Sequence, residues 1–364
     1  MSRLRGTTVL ITGGRAPVAL DLARKFAACG SRVLVAESAP ADLCRRSKAV
    51  AATFRVPPPN RAPGAFAEAL AGIAKREAVD LLVPTCEEIF WVARALDVLE
   101  PHCRVLAEPL ERLRGLHSKW EFVRQAEAFG LPVPRTVRGA GLRLPYVVKP
   151  VFSRFATKVR VVTAEEPAPD EAWVAQELLT GRQVCTYSVA AAGRLVAHAA
   201  YEVEFTASGA CVNFAPIDDH PIEQWVTKFL EKSGFTGQIA FDFIDGLPLE
   251  CNPRATSGIH LFGPELAEVL YGCATGVLPG QPLRPDPERR AMLGLAMLGF
   301  GLGQHGLARW WRVLRESADV IAVPGDRGPF RSQLDVLWHT WLRSLWTRRS
   351  MIECSTYDIQ WDGR

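Results

Sequence analysis

No apolar run in this chain is long enough to cross a bilayer: the longest uncharged stretch, roughly 291–303, is short and rich in glycine. The nine cysteines are odd in number and scattered, and no CxxC pair occurs. That excludes a disulfide framework or a zinc ribbon and fits a reducing compartment. Charge of one sign is also scarce. Lys and Arg total 43 against 39 Asp and Glu, a formal +4, too little for a nucleic-acid partner. No internal repeat and no low-complexity segment is visible. The N-terminal apolar run TTVLIT is too short for a signal peptide and runs into Gly13-Gly14, so a cytoplasmic protein is expected. What is present is an ordinary globular composition, 48% hydrophobic and 23% charged over 364 residues. That length suits two or three domains of about 150 residues each.

Strand and helix alternate over the first 110 residues. TTVLIT, SRVLVAES, VDLLVP and CRVLAE read as buried strands, and 16–29 and 65–77 as helices, which predicts a parallel sheet with helices on its faces. Thr85 and Glu88 predict a capping box for a helix running to Leu99. Ser118 opens a helix ending at Gly130, and LPVPRT follows as a connector. From Tyr146 strands dominate, and GQIAFDFIDGLPLECNPR predicts a hairpin turning at Asp245-Gly246. The expected division is 1–110, 111–180, 181–281 and a tryptophan-rich extension over 282–364.

Two sets of residues carry chemistry. Gly13-Gly14 follows a strand and opens a helix, and Glu37 ends the next strand, where a dinucleotide fold places its ribose acid. GGRAPVA is not GxGxxG, however, and a tight turn is the expected reading. Further on, Asp242, Glu250 and Asn252 share one apolar hairpin, and the two-residue step from Glu250 to Asn252 puts both on one face. Three oxygen-bearing side chains there are costly to desolvate without cations, and hard oxygen ligands suit Mg²⁺ shared with phosphates. Arg254 adds a fork for a carboxylate or phosphate. Lys149 ends the apolar strand YVVKP beside the polar loop FSRFATK, a point cation suited to phosphate, and Lys119 stands in the first turn of a helix.

Taken in order along 7–275, these motifs resemble the ATP-grasp superfamily, in particular its carbamoyl-phosphate-synthase-like and biotin-carboxylase-like branch. VLITGGRAPVALDLARKFAACGSRVLVAES is similar to the Rossmann-like domain that precedes an ATP-grasp fold. LHSKWEFVRQAEAFGLPVPRT and YVVKP are similar to the segments carrying phosphate-contacting lysines, here Lys119 and Lys149. VAQELLTG resembles the hinge against which adenine packs, with Gln176 and Glu177 at that place. FDFIDGLPLECNPR resembles the magnesium hairpin. The resemblance implies an α/β and α+β chain in which a pre-ATP-grasp domain leads into a two-part ATP-grasp fold, a small lid and a metal-binding part. It implies ATP and two Mg²⁺ ions, with Mn²⁺ as a substitute, and Asp242, Glu250 and Asn252 as ligands. It places Arg254 and Lys149 at the reacting phosphate. The implied reaction is ADP-forming: a carboxylate becomes an acylphosphate and is joined to a nucleophile, most often an amine, for which Glu87 is the candidate holder. The chain departs from the family in its loop after Lys149, which has no glycine. Ser153, Arg154 and Thr157 stand where backbone contacts are usual, and Arg182 or Gln183 occupies the place of a ribose-binding Glu.

An NAD(P)-dependent oxidoreductase built on the glycine turn and a non-catalytic nucleotide-binding relative are the alternatives. The partners expected are small carboxylates and amines, with no nucleic acid and no transmembrane segment, and a homodimer stays open. Six of the ten tryptophans lie at 310, 311, 338, 341, 346 and 361. Trp338, Trp341, Leu342, Leu345 and Trp346 recur at helical spacing among arginines. The stripe is expected to pack on the core rather than touch a membrane, and 291–303 to form a buried helix.

Overall fold

The computed structural model describes residues 2–138, 142–153, 158–164, 170, 172–207 and 209–363. Its first layer is a parallel five-stranded sheet. The strand Thr8–Thr12 lies at the centre, flanked on one side by Arg32–Glu37 and Ala52–Arg55 and on the other by Leu81–Val83 and Arg104–Val105. The strand Ala52–Arg55 escapes a sequence reading because it is half exposed and short, with no apolar run. Thr8–Thr12 is buried along its whole length, as a central parallel strand must be when helices cover both faces. Val9 and Ile11 join one apolar cluster with the helix Pro17–Ala28, while Leu10 joins another with the helix Pro63–Arg76.

Two further sheets face each other across the site. The larger is antiparallel, in the order Pro216–Ile217, Arg194–Glu202, Gln183–Ala191, Gly237–Ile244, Leu247–Asn252. The smaller has four strands, in the order Thr136–Val137, Trp173–Glu177, Tyr146–Pro150, Arg160–Val162. The hairpin turns where expected, with Asp245 at φ +49° and Gly246 at φ +78°. Both values are left-handed, which suits Asp-Gly and the twist of the flanking strands. Behind this hairpin Phe241 and Phe243 pack edge-on against Trp225, at 5.4 Å between ring centroids in each case. Such pairs each contribute about 1 kcal/mol beyond area burial, and they hold the hairpin's other face rigid toward the cleft.

Three expectations are corrected. The Thr85–Glu88 capping box is half formed: the Glu88 carboxylate accepts from the Thr85 backbone N–H at 3.0 Å, but the Thr85 hydroxyl donates to the Thr12 carbonyl instead. The helix it starts is Glu88–Arg94, broken at Ala95 before Leu96–Leu99. Residues 291–303 are not a buried helix. Ala291–Met292 is a strand, and the short helix Gly294–Phe300 leaves Leu298 and Phe300 more than half exposed. The tryptophan stripe does not pack on the core. The helix Gly328–Thr347 forms, but Trp338, Trp341 and Trp346 point outward. Burial in 282–364 lies elsewhere: Met292, Met297, Val313, Val320 and Ile321 are buried, and so are Cys354, Asp358, Ile359 and Trp361 at its end, where Cys354 and Ile359 line the cavity described below.

Candidate functional site

A cavity of about 670 Å³ lies between the two facing sheets and the parallel layer. Its lining includes Lys119, Lys149, Ser153, Gln176, Glu177, Asp242, Glu250, Asn252, Arg254 and Glu87. Residues singled out on five separate segments therefore meet in one place. Arg154 and Thr157 lie outside the described residues.

The hairpin supplies the acids. Asp242 sits directly across from Glu250, and Ala240 across from Asn252, with a register shift just after Asp242. The Asn252 amide donates to the Asp242 carboxylate at 3.2 Å, and its oxygen accepts from Arg254 at 3.1 Å. Burial and then the neighbouring Glu250 push the Asp242 carboxyl well above its ordinary range. Burial works on Glu250 in the same sense but is outweighed by Lys119 and Lys149, which hold it below its ordinary range. The two carboxylates thus compete for positive charge, and only one is satisfied by the protein's own lysines.

The lysines arrive from different layers. Ser118 caps the helix Lys119–Ala128 by accepting from the Glu121 N–H, which fixes Lys119 at the first turn. The Lys119 ammonium reaches the Glu250 carboxylate at 3.1 Å and donates to the Ser153 carbonyl at 3.0 Å. Ser153 therefore contributes through its backbone. Lys149 projects from the small sheet and donates to the Leu249 carbonyl of the hairpin at 3.0 Å, so it joins the two sheets. Burial, and then Lys119, pull its ammonium down to about 7.

Gln176 lines the cavity as well; its carbonyl accepts from Lys149 at 2.8 Å and its amide donates to the Thr136 hydroxyl at 2.9 Å, so its side chain orients the lysine. Glu177 lines the cavity, and its carboxylate accepts from the Arg135 N–H at 2.8 Å. Glu87 is buried and accepts from the Trp361 backbone N–H at 3.4 Å.

Residues that no motif announced complete the site. Arg15, next to the glycine turn, is half-buried and sandwiched between Glu37 and Asp358. Asp358 is held at about 2 although burial works upward, because Arg15 and Ser38 donate to it. Glu37 also accepts from the backbone N–H groups of Arg15 at 2.8 Å and Ala39 at 2.7 Å. That carboxylate is spent inside the protein, which removes the one acid the oxidoreductase alternative needed. A Cβ at Gly14 would meet Val35 at 2.5 Å, so this glycine serves close packing. His117 is fully buried between Phe90, Phe152 and Trp361 and is pushed down to about 4 by burial and then by Lys119. Arg15 and His117 had a signal only in their positions beside Gly13-Gly14 and Ser118. Trp361 had none, since 107 residues separate it from Arg254 (361 − 254).

Solved structures with the same architecture exist. The chain is similar to L-amino acid ligase from Bacillus licheniformis, with a TM-score of 0.60 and 15% identity over 79% of each chain. It is similar to N5-carboxyaminoimidazole synthetase from Staphylococcus aureus complexed with ADP, at TM-score 0.60 and 14% identity, covering 80% of this chain and 84% of that one. A biotin carboxylase complex with β,γ-ATP from Campylobacter jejuni also aligns, at TM-score 0.60 and 16% identity over 81% of this chain and 75% of that one. No protein-family model matches the chain, and no curated protein matches it. The likeness shows the fold: this chain has the ATP-grasp fold, preceded by a Rossmann-like parallel layer.

Proposed function

We propose that the protein is an ATP- and Mg²⁺-dependent ligase that converts a carboxylate into an acylphosphate and joins it to an amine. The observation that carries this reading is the meeting of Lys119 and Lys149 with Asp242, Glu250 and Asn252 in one cavity, beneath a four-stranded lid. The solved relatives of this fold include a ligase and complexes named for ADP and β,γ-ATP, in line with a triphosphate site.

The donor set fits magnesium shared with phosphates. Among the described residues no group of three His, Cys, Asp or Glu assembles to hold a metal alone. The oxygens here are two carboxylates and one amide, few enough to leave coordination positions for phosphate and water. Asp242, Glu250 and Asn252 would hold the ion, which supplies charge neutralisation on phosphate oxygens. A cation there would also answer the repulsion between Asp242 and Glu250.

The chain's own residues do the rest. Lys119 and Lys149 offset charge on the transferred group, and both are preorganised by fixed partners, so little reorganisation is needed. A carboxylate oxygen attacks the γ-phosphorus and the bond to the ADP oxygen breaks. No base is required, since a carboxylate is already a nucleophile. Arg254, whose Nε is buried without a partner among the described residues, has a donor left for the acceptor carboxylate or the moving phosphoryl group. The amine then attacks the carbonyl carbon, phosphate leaves with the bonding pair, and the amine loses a proton. Glu87, which lines the same cavity, would hold that amine. The sheet carrying Lys149 excludes water from the acylphosphate.

The test is ADP production by the full chain with ATP and Mg²⁺ across a panel of carboxylates and amines. The reading predicts turnover that requires a carboxylate and a new amide in the products. ATP binding with no turnover across the panel would instead favour a non-catalytic relative.

A further inference from the structure

The helix Gly328–Thr347 is turned the wrong way round for a packed helix. Its small and polar side, Ser332, Val336, Thr340 and Arg343, is buried or half-buried. Val336, His339, Thr340 and Arg343 line the cavity. Its apolar side faces outward. Leu334, Trp338, Trp341 and Leu345 recur at steps of four, three and four residues and so form one stripe. Their exposures are 55%, 57%, 42% and 57%, with Phe330 and Leu337 at 38% and 42% on the same side. Single exposed leucines are ordinary, but a contiguous stripe along a helix about 30 Å long marks a surface that something covers.

Charge decides between occupants. Over 328–349, leaving aside Arg343 on the inner side, there are three arginines, Arg331, Arg348 and Arg349, and one acid, Asp335. Asp335 is paired with Arg46 at 3.0 Å. A second copy of this helix would bring like charges together, whereas anionic headgroups would neutralise them. Tryptophan is also the side chain that settles at the level of lipid headgroups, because its ring is apolar and its N–H polar. The helix Leu307–Glu316, which precedes it in the sequence, has the same composition, with exposed Leu307 and Trp311 beside Arg312 and Arg315.

We propose that the helix Gly328–Thr347 docks this protein on an anionic phospholipid surface, lying in the interface with its Leu/Trp stripe inserted and Arg331, Arg348 and Arg349 at the headgroups. Among the described residues no helix is long and apolar enough to cross a bilayer. The docked helix keeps its inner side on the cavity, so the cavity stands at the membrane face. The proposal does not depend on the ligase reading.

The test is sedimentation of the full chain with vesicles of phosphatidylcholine alone and of phosphatidylcholine mixed with phosphatidylglycerol, with tryptophan emission as a second readout. Binding to the mixed vesicles, with a blue shift and loss at high salt, is expected. W338Q/W341Q should weaken it by about tenfold or more, and R348E/R349E by a similar factor, with preference for anionic lipid lost in the latter. Both variants change exposed side chains only, so their thermal unfolding should match the parent. Failure to bind mixed vesicles, or equal binding to neutral ones, would overturn the proposal. So would a dimer in solution that W338Q/W341Q dissolves, because the stripe would then belong to a second copy.

Discussion

Lys149 is the residue on which the two sheets converge, held by Gln176 on one side and the Leu249 carbonyl on the other. Replacing it with alanine should cut turnover about a hundredfold or more, the usual loss when a preorganised charge contact to a transition state is removed. The melting temperature should change little, since the side chain crosses a cleft rather than filling a core. Steady-state ADP production and a thermal melt check both halves. His117 makes a different kind of prediction. Its ordinary value is near 6.5 and burial takes it to about 4. The unfolded chain therefore takes up the proton first. Its contribution is intact above about pH 6.5 and is lost as the pH falls toward 4. Asp242, held above its ordinary range, works in the opposite sense across part of that window. Comparison with His117→Gln isolates the histidine: the variant's melting temperature should fall less steeply on acidification than the parent's.

Among the elements, the hairpin 237–252 was the most legible. Asp-Gly fixed its turn, alternation fixed its faces, and the Glu250–Asn252 step fixed which side chains share one. The C-terminal helix was misread for a physical reason: helical spacing shows that a stripe exists but not which side of the helix meets the protein. Its inner side is small and polar, so hydrophobicity pointed the wrong way. The segment 354–361 is silent in the sequence, since its contacts with Arg15, Phe90 and Trp91 lie hundreds of residues away. Yet it is tied down by Trp361 stacked on Phe90 at 4.5 Å, by the Trp91 indole donating to the Ile359 carbonyl at 3.1 Å, and by Asp358 on Arg15. Trp361→Ala should destabilise the protein by about 3 kcal/mol, the cost of a buried aromatic deletion. Trp361→Phe should cost much less, because the indole N–H is buried with no partner among the described residues. Denaturant unfolding of the two variants measures the difference.

For the molecule as a whole, the order of motifs carried the architecture where no single motif could. A parallel sheet, a small four-stranded sheet and a larger antiparallel sheet are present, and solved structures share the overall fold at 14–16% identity. Partner assignments within the cavity were not legible. That Lys119 pairs with Glu250, that Gln176 serves Lys149, and that Glu37 is closed off by Arg15 depend on how three layers pack. The central claim is that these layers together phosphorylate a carboxylate. A carboxylate substrate labelled with heavy oxygen tests it most directly, by mass analysis of the phosphate released with ATP and Mg²⁺. Transfer of one labelled oxygen from the carboxylate to phosphate is the predicted result, since the acyl oxygen stays on phosphorus when the amine attacks. Turnover that releases unlabelled phosphate would contradict the acylphosphate and the account built on it.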